Sequence, residues 1–251
     1  MLEEEELKRH ILDLAERSYA QNIYTFSDFL TLGEISQVHS FENEFNFVKA
    51  AFFGGCDGCE RQMVRFGSED ELGYVQDFPI RTLEVKPLNA KFADSLSHRD
   101  FLGAIMNLGV NRDVLGDIIV RDNTGYIFAS ESMAEYLCDN LNQVKHTTVV
   151  CNICDKCPES AKPVFEMAEI IISSNRCDAV ISKLYNLSRT QSSELFRKKL
   201  VFVDGRSIEK PTAVLKSGAV VSVRGYGKFV FDGIISETRK GREKALLRKY
   251  V

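Results

Sequence analysis

The stretch from Ile80 to Ile153 constrains the fold most, because its hydrophobic periods change in a fixed order. "IRTLEVKPL" (80–88) alternates as a strand does, and "HRDFLGAIMNLG" (98–109) has helical spacing that stops at Gly109. "DIIVRDNTGYIFAS" (117–130) holds two short apolar runs around the turn residues "DNTG". "SESMAEYLCDNL" (130–141) reads as a helix with Ser130 as its cap, and "KHTTVVCNI" (145–153) as a last β-branched strand. The order is β-α-β-β-α-β.

That order is the split βαβ arrangement of ferredoxin-like and RNA-recognition folds. It does not establish RNA binding, since a fold hosts many functions. An RNA-recognition sheet stacks bases on aromatics of its two central strands. Of the candidate strands only "GYIFAS" offers aromatics, Tyr126 and Phe128, and alternation is expected to turn one of them to the core. A structural or protein-docking role fits the segment equally.

Upstream, residues 3–20 read as a helix with Leu7, Ile11, Leu14 and Ala15 on one face. "NFVKAAFFGG" (46–55) is a buried strand stopped by paired glycines, with "RQMVRFG" (61–67) as its partner. Downstream, "RCDAVISKLYN" (176–186) and "LSRTQSSELFRKKL" (187–200) are two helices, the second opened by Ser188 and Gln191 at capping-box spacing. "VFVDGR" (201–206) is a strand into an Asp204-Gly205 turn, and "KPTAVLKSGAVVSVRGYGKFVF" (210–231) is a compact β segment. The tail after it is basic, with Ala245, Leu246 and Leu247 as a helix candidate too short to define a face.

With 44% hydrophobic and 27% charged residues, the 251-residue chain has the composition of a soluble globular protein of two or three domains. No apolar run reaches the roughly 18 residues of a membrane span. The acidic start "MLEEEELKRH" lacks a signal-peptide core. A cytoplasmic protein is expected, with its seven cysteines as thiols or ligands rather than disulfides. Charge is unevenly spread: residues 176–251 carry 17 Lys and Arg against 7 Asp and Glu. That is +10 in a chain whose total is −4, which leaves −14 on the first 175 residues. A basic carboxy-terminal third on an acidic body points to a polyanion partner.

The two-helix, β-turn-β segment resembles the S4-type RNA-binding domain, through "RCDAVISKL", "NLSRTQSSELFRKKLVFVDGR" and "LKSGAVVSVRGYGKF". It departs from that pattern at Cys177, where leucine is common, and at Ala219, where an acidic residue is common. The resemblance implies that the second helix presents its first turns to RNA, here Ser188, Arg189, Gln191 and Ser192, followed by Arg197 and Lys198. The physics agrees, because a helix amino terminus offers unpaired N–H groups to a phosphate and arginine adds bidentate contacts. Arg176, Lys199, Arg206, Arg224 and Lys228 complete the expected RNA-binding set. Over most of residues 45–235 the chain is similar to the YlmH family, most specifically at "FLGAIMNLGVNRDVLGDI". That similarity implies a ribosomal role in bacterial ribosome-associated quality control, on large subunits carrying peptidyl-tRNA.

"CDGC" (Cys56, Cys59) and "CNICDKC" (Cys151, Cys154, Cys157) have metal-ligand spacing. The second lacks a fourth ligand nearby, and only a particular packing would bring the two groups together, so no metal is expected. Signatures of pseudouridine synthases and tyrosyl-tRNA synthetases are absent, and "HRD" at 98–100 lacks the other motifs of a kinase.

The expectation is therefore an α+β, multi-domain chain. It comprises a mixed α/β domain (1–75), a βαββαβ ferredoxin/RRM-like domain (76–153), a linker (154–173), an S4-like domain (174–236) and a basic tail (237–251). It is expected to be monomeric and non-enzymatic, without cofactor or membrane contact, binding rRNA or tRNA on the large subunit and meeting ribosomal proteins. The competing expectation is a zinc- or iron–sulfur-dependent RNA-modifying or redox enzyme that uses the S4 module for delivery.

Overall fold

The computed structural model describes residues 2–238 and 241–250. The chain divides into two compact units, Met1–Pro163 and Val164–Val251. The first unit runs α1 (Leu2–Gln21), β1 (Thr25–Phe26), α2 (Leu32–Ser40), β2 (Ala50–Phe53), β3 (Met63–Phe66) and the short α3 (Glu69–Leu72). It continues with β4 (Ile80–Pro87), α4 (His98–Met106), β5 (Leu115–Arg121), β6 (Thr124–Ser130), α5 (Glu131–Asn140), β7 (Gln143–Val144) and β8 (Thr147–Cys154).

The periodicity in 80–153 folds into an antiparallel sheet of order β5-β6-β4-β8-β7. Leu83, Val85, Ile127 and Ala129 point to one face, where Phe101 and Ile105 of α4 and Ala134 and Leu137 of α5 bury them. Asp122 and Asn123 take left-handed conformations in the tight β5–β6 turn, as "DNTG" predicts. Helix α4 begins at His98, with Ser97 and Asp100 in a reciprocal capping box. Asp100 accepts from the Ser97 N–H at 2.8 Å and from its hydroxyl at 2.6 Å, which holds its carboxyl below the usual range. The aspartate of "HRD" is thus spent on a helix start.

The stretches expected as separate domains, 1–75 and 76–153, cluster as one unit. The other face of the five-stranded sheet is covered by Phe29, Cys56, Cys59 and Met63, which pack on Tyr126 and Phe128. Arg61 fastens this joint: its Nε donates to the Leu115 carbonyl at 2.8 Å, and its Nη2 to the carbonyls of Phe29 and Arg112 at 2.9 and 3.1 Å. Arg112 bonds the Leu115 and Gly116 carbonyls beside it. Burial, then the neighbouring Arg61, push its guanidinium down to about 10.

The second unit holds β9 (Phe165–Ile172), α6 (Cys177–Leu184), α7 (Arg189–Arg197), β10 (Val201–Val203), β11 (Arg206–Ser207), β12 (Ala219–Val223), β13 (Gly227–Glu237) and β14 (Glu243–Tyr250). Its sheet order is β11-β10-β12-β13-β14-β9. Val180, Ile181, Leu195 and Phe196 of the two helices pack on Val221, Phe229 and Leu247 of the sheet. The expected linker is corrected here. Residues 165–172 form an edge strand, paired with β14 from Phe165↔Tyr250 to Ile172↔Glu243.

The tail, too, is a strand rather than a helix where it is described; Arg239, Lys240 and Val251 lie outside the described residues. Ala245 and Leu247 are fully buried. Two apolar residues two apart are too few for a helical face but enough for one side of a short strand.

Candidate nucleic-acid interface

The amino ends of α6 and α7 and the end of β9 border a groove of about 760 Å³. Among the described residues, Arg176, Lys183, Arg189 and Arg242 line it, with Asp178 as the one acid. The groove exists because α6 and α7 bury their apolar sides in the sheet, leaving polar residues such as Ser182 and Ser193 on the open side. Arg242 arrives from the β13–β14 turn, where the Arg242 N–H donates to the Thr238 hydroxyl at 3.0 Å.

The expected contact residues divide by what they already hold. Ser188 caps α7: its hydroxyl accepts from the Gln191 backbone N–H at 3.2 Å, and its own backbone N–H donates to the Gln191 side-chain Oε1 at 2.9 Å. Both side chains are thus occupied in starting the helix. Ser192 is only 1% exposed; its hydroxyl donates to the Asp178 carbonyl at 3.2 Å and joins the two helices. Arg176 forms a bidentate pair with Asp178 at 3.0 and 2.6 Å, which raises its pKa above the ordinary value. Arg189 is exposed at the helix start and aligned with the positive end of α7.

Arg197, Lys198 and Lys199 stand at the other end of α7, outside the groove lining. Arg197 and Lys198 share Glu194 at 3.3 and 3.5 Å, and Lys199 pairs with Glu209 at 2.7 Å. Arg224 adjoins them, since its N–H donates to the Leu200 carbonyl, and its guanidinium lies 4.6 Å from the Phe202 ring centre. Arg206 is exposed on β11 beyond the Asp204-Gly205 turn, and Lys228 lies 5.6 Å from the Tyr250 ring centre. The predicted set therefore forms two groups, one in the groove and one at the carboxy end of α7 and the adjacent strand turns. Sequence reasoning missed Lys183 and Arg242. Lys183 was visible as the cation of an amphipathic helix, and Arg242 only through the tail's charge.

Tyr126 and Phe128 answer the base-stacking question for the first unit. Being two apart, both point to one face, and they are 7% and 0% exposed beneath the covering elements. The expectation that one alone would face the core is corrected by the period of two. Neither ring is available to a base.

The cysteines sort by the same rule. Cys151 faces the helices, and its sulfur lies 2.8 Å from that of Cys138. Cys56 and Cys59 are buried on the opposite face with sulfurs 3.1 Å apart. Cys157 packs against the same cluster, its thiol donating to the Pro158 carbonyl at 3.7 Å, and burial foremost lifts that thiol to about 11. Among the described residues, no group of three or more His, Cys, Asp or Glu side chains is already disposed to hold an ion. Among them, too, no helix is long and apolar enough to cross a membrane.

Residues 74–156 match the family model described as "Putative RNA-binding domain in YlmH". The similarity extends beyond that segment. A Bacillus subtilis (strain 168) protein named "Ribosome-associated protein quality control protein P2" is 29% identical over 199 residues, covering 78% of this chain and 76% of its own length. Cell division protein ylmH from Streptococcus pneumoniae, a solved structure, aligns with a TM-score of 0.49 and 16% identity over 61% of this chain and 92% of that one. The family model and the Bacillus relative bear out the resemblance to the YlmH family.

Proposed function

We propose that this chain is a non-enzymatic RNA-binding protein that works on the ribosome, gripping RNA phosphates with an S4-like carboxy-terminal domain at residues 174–236. The observation that carries the reading is the groove with Arg176, Lys183, Arg189 and Arg242 around two helix starts. Such a site suits a folded RNA backbone and gives modest base specificity. The match to an RNA-binding-domain model and the likeness to a ribosome-associated quality control protein support RNA and the ribosome as partners. The finer reading is the large subunit with peptidyl-tRNA as the target, in bacterial ribosome-associated quality control, from the cytoplasm. The strand order of the middle sheet supports an RRM-like domain, which serves as a body rather than a base-stacking surface because its second face is occupied.

Co-sedimentation of the full chain with large subunits across a salt series tests this. Arg189→Ala with Arg242→Ala is expected to weaken association tenfold or more and to lower the salt slope by about 1.5 to 2, as loss of two phosphate contacts requires. Undiminished association of a folded double variant would overturn the proposal.

A further inference from the structure

Two Cys-Asp-X-Cys sequences, "CDGC" (56–59) and "CDKC" (154–157), stand far apart in the chain and meet on one face of the five-stranded sheet. Cys56 and Cys59 belong to the cluster that covers Tyr126 and Phe128, and Cys157 packs against it. The Cys56 sulfur lies 3.1 Å from that of Cys59 and 3.9 Å from the Ala161 carbonyl oxygen, four residues beyond Cys157. Cys154 is the register partner of Thr82, which on its other side pairs with Phe128. Cross-strand partners share a face, so Cys154 lies on the same side as the other three. It lines a cavity of about 230 Å³ together with Cys157, Gly55 and Thr82.

The backbone is shaped for this approach. A Cβ on Gly54 would stand 2.5 Å from the Cys59 Cβ, and one on Gly55 2.4 Å from the Phe128 ring. Gly55 also has φ +102°, which L side chains rarely adopt. The paired glycines let the "CDGC" turn lie directly on the sheet.

We infer that Cys56, Cys59, Cys154 and Cys157 are the four ligands of a structural zinc ion. Each Cys-X-X-Cys turn is a two-sulfur chelate, and two of them supply the closed tetrahedral thiolate set that zinc takes in structural sites. With bonds of about 2.3 Å, neighbouring sulfurs of such a site stand about 3.8 Å apart. The 3.1 Å between Cys56 and Cys59 is the spacing of a hydrogen-bonded thiol pair. Zinc displaces the thiol protons into solvent and opens that spacing, while Cys154 turns in from the cavity wall. Four protein ligands leave no open position, so the ion ties the β2–β3 turn to the end of β8 and performs no catalysis. Cys138 and Cys151, a thiol pair on the helix side of the sheet with sulfurs 2.8 Å apart, serve as an internal control.

Elemental analysis of the untagged full chain, purified from zinc-supplemented cells, tests the site. About one zinc per chain is expected, retained by Cys138→Ser with Cys151→Ser and lost from Cys56→Ser or Cys157→Ser. Because ligand variants can misfold, the stripped wild-type chain is also titrated with Co²⁺. The expected result is tetrahedral ligand-field bands with thiolate-to-cobalt charge transfer, and a higher melting temperature when zinc is restored. Zinc-replete protein without bound metal or that charge-transfer signal would overturn the inference. So would a Cys56–Cys59 disulfide in the freshly isolated chain, which would assign the pair to redox chemistry instead. These readouts are independent of RNA binding.

Discussion

Residues 74–156 carry 8 Lys and Arg against 11 Asp and Glu, whereas residues 164–251 carry 17 against 9. The first segment is the one that matches an RNA-binding-domain model, and the second holds the cationic groove. A sheet that reads bases needs exposed aromatics more than charge, and this one has spent Tyr126 and Phe128 on burial. A surface that grips phosphate needs cations without strong internal partners. Arg189 sits beside a capped helix start in that condition, while Arg176 shares its charge with Asp178. The difference separates a sheet covered on both faces from a unit with an open cationic groove.

The largest test of that contrast is Phe128→Ala, which removes a fully buried ring. It is expected to cost about 3–5 kcal/mol in denaturant unfolding, while RNA affinity per folded molecule stays the same. Loss of affinity at unchanged stability would make the middle sheet an RNA surface and break the comparison. Ser188→Ala follows, at about 1 kcal/mol of stability for the α7 cap. Hydrogen exchange of the first turn of α7 reads that loss, and unchanged protection there would show that the helix start does not depend on the box. The smallest effect is expected from Lys91→Ala with Arg99→Ala, two exposed cations of the acidic segment. RNA affinity should move by less than about twofold, since neither cation belongs to a concentrated basic surface; a tenfold drop would move the interface.

Much of this was legible because it is local. The β-α-β-β-α-β order, the turns at Asp122–Asn123 and Asp204–Gly205 and the Ser188–Gln191 box all follow from residues within a few positions of each other. What failed was non-local. "PVFEMAEIII" read as linker because its partner strand lies at the other end of the chain. Arg242 reached the groove only because β14 returns along β9.

By itself the sequence determined the periods, the caps, the charge asymmetry and the cysteine spacing, since each is a property of near neighbours. Only the tertiary structure decided which face of the middle sheet is covered, that Ser192 joins two helices, and that "CDGC" meets "CDKC". Those depend on how elements distant in the chain pack, and a period of two states that a strand has two faces without stating what lies against either.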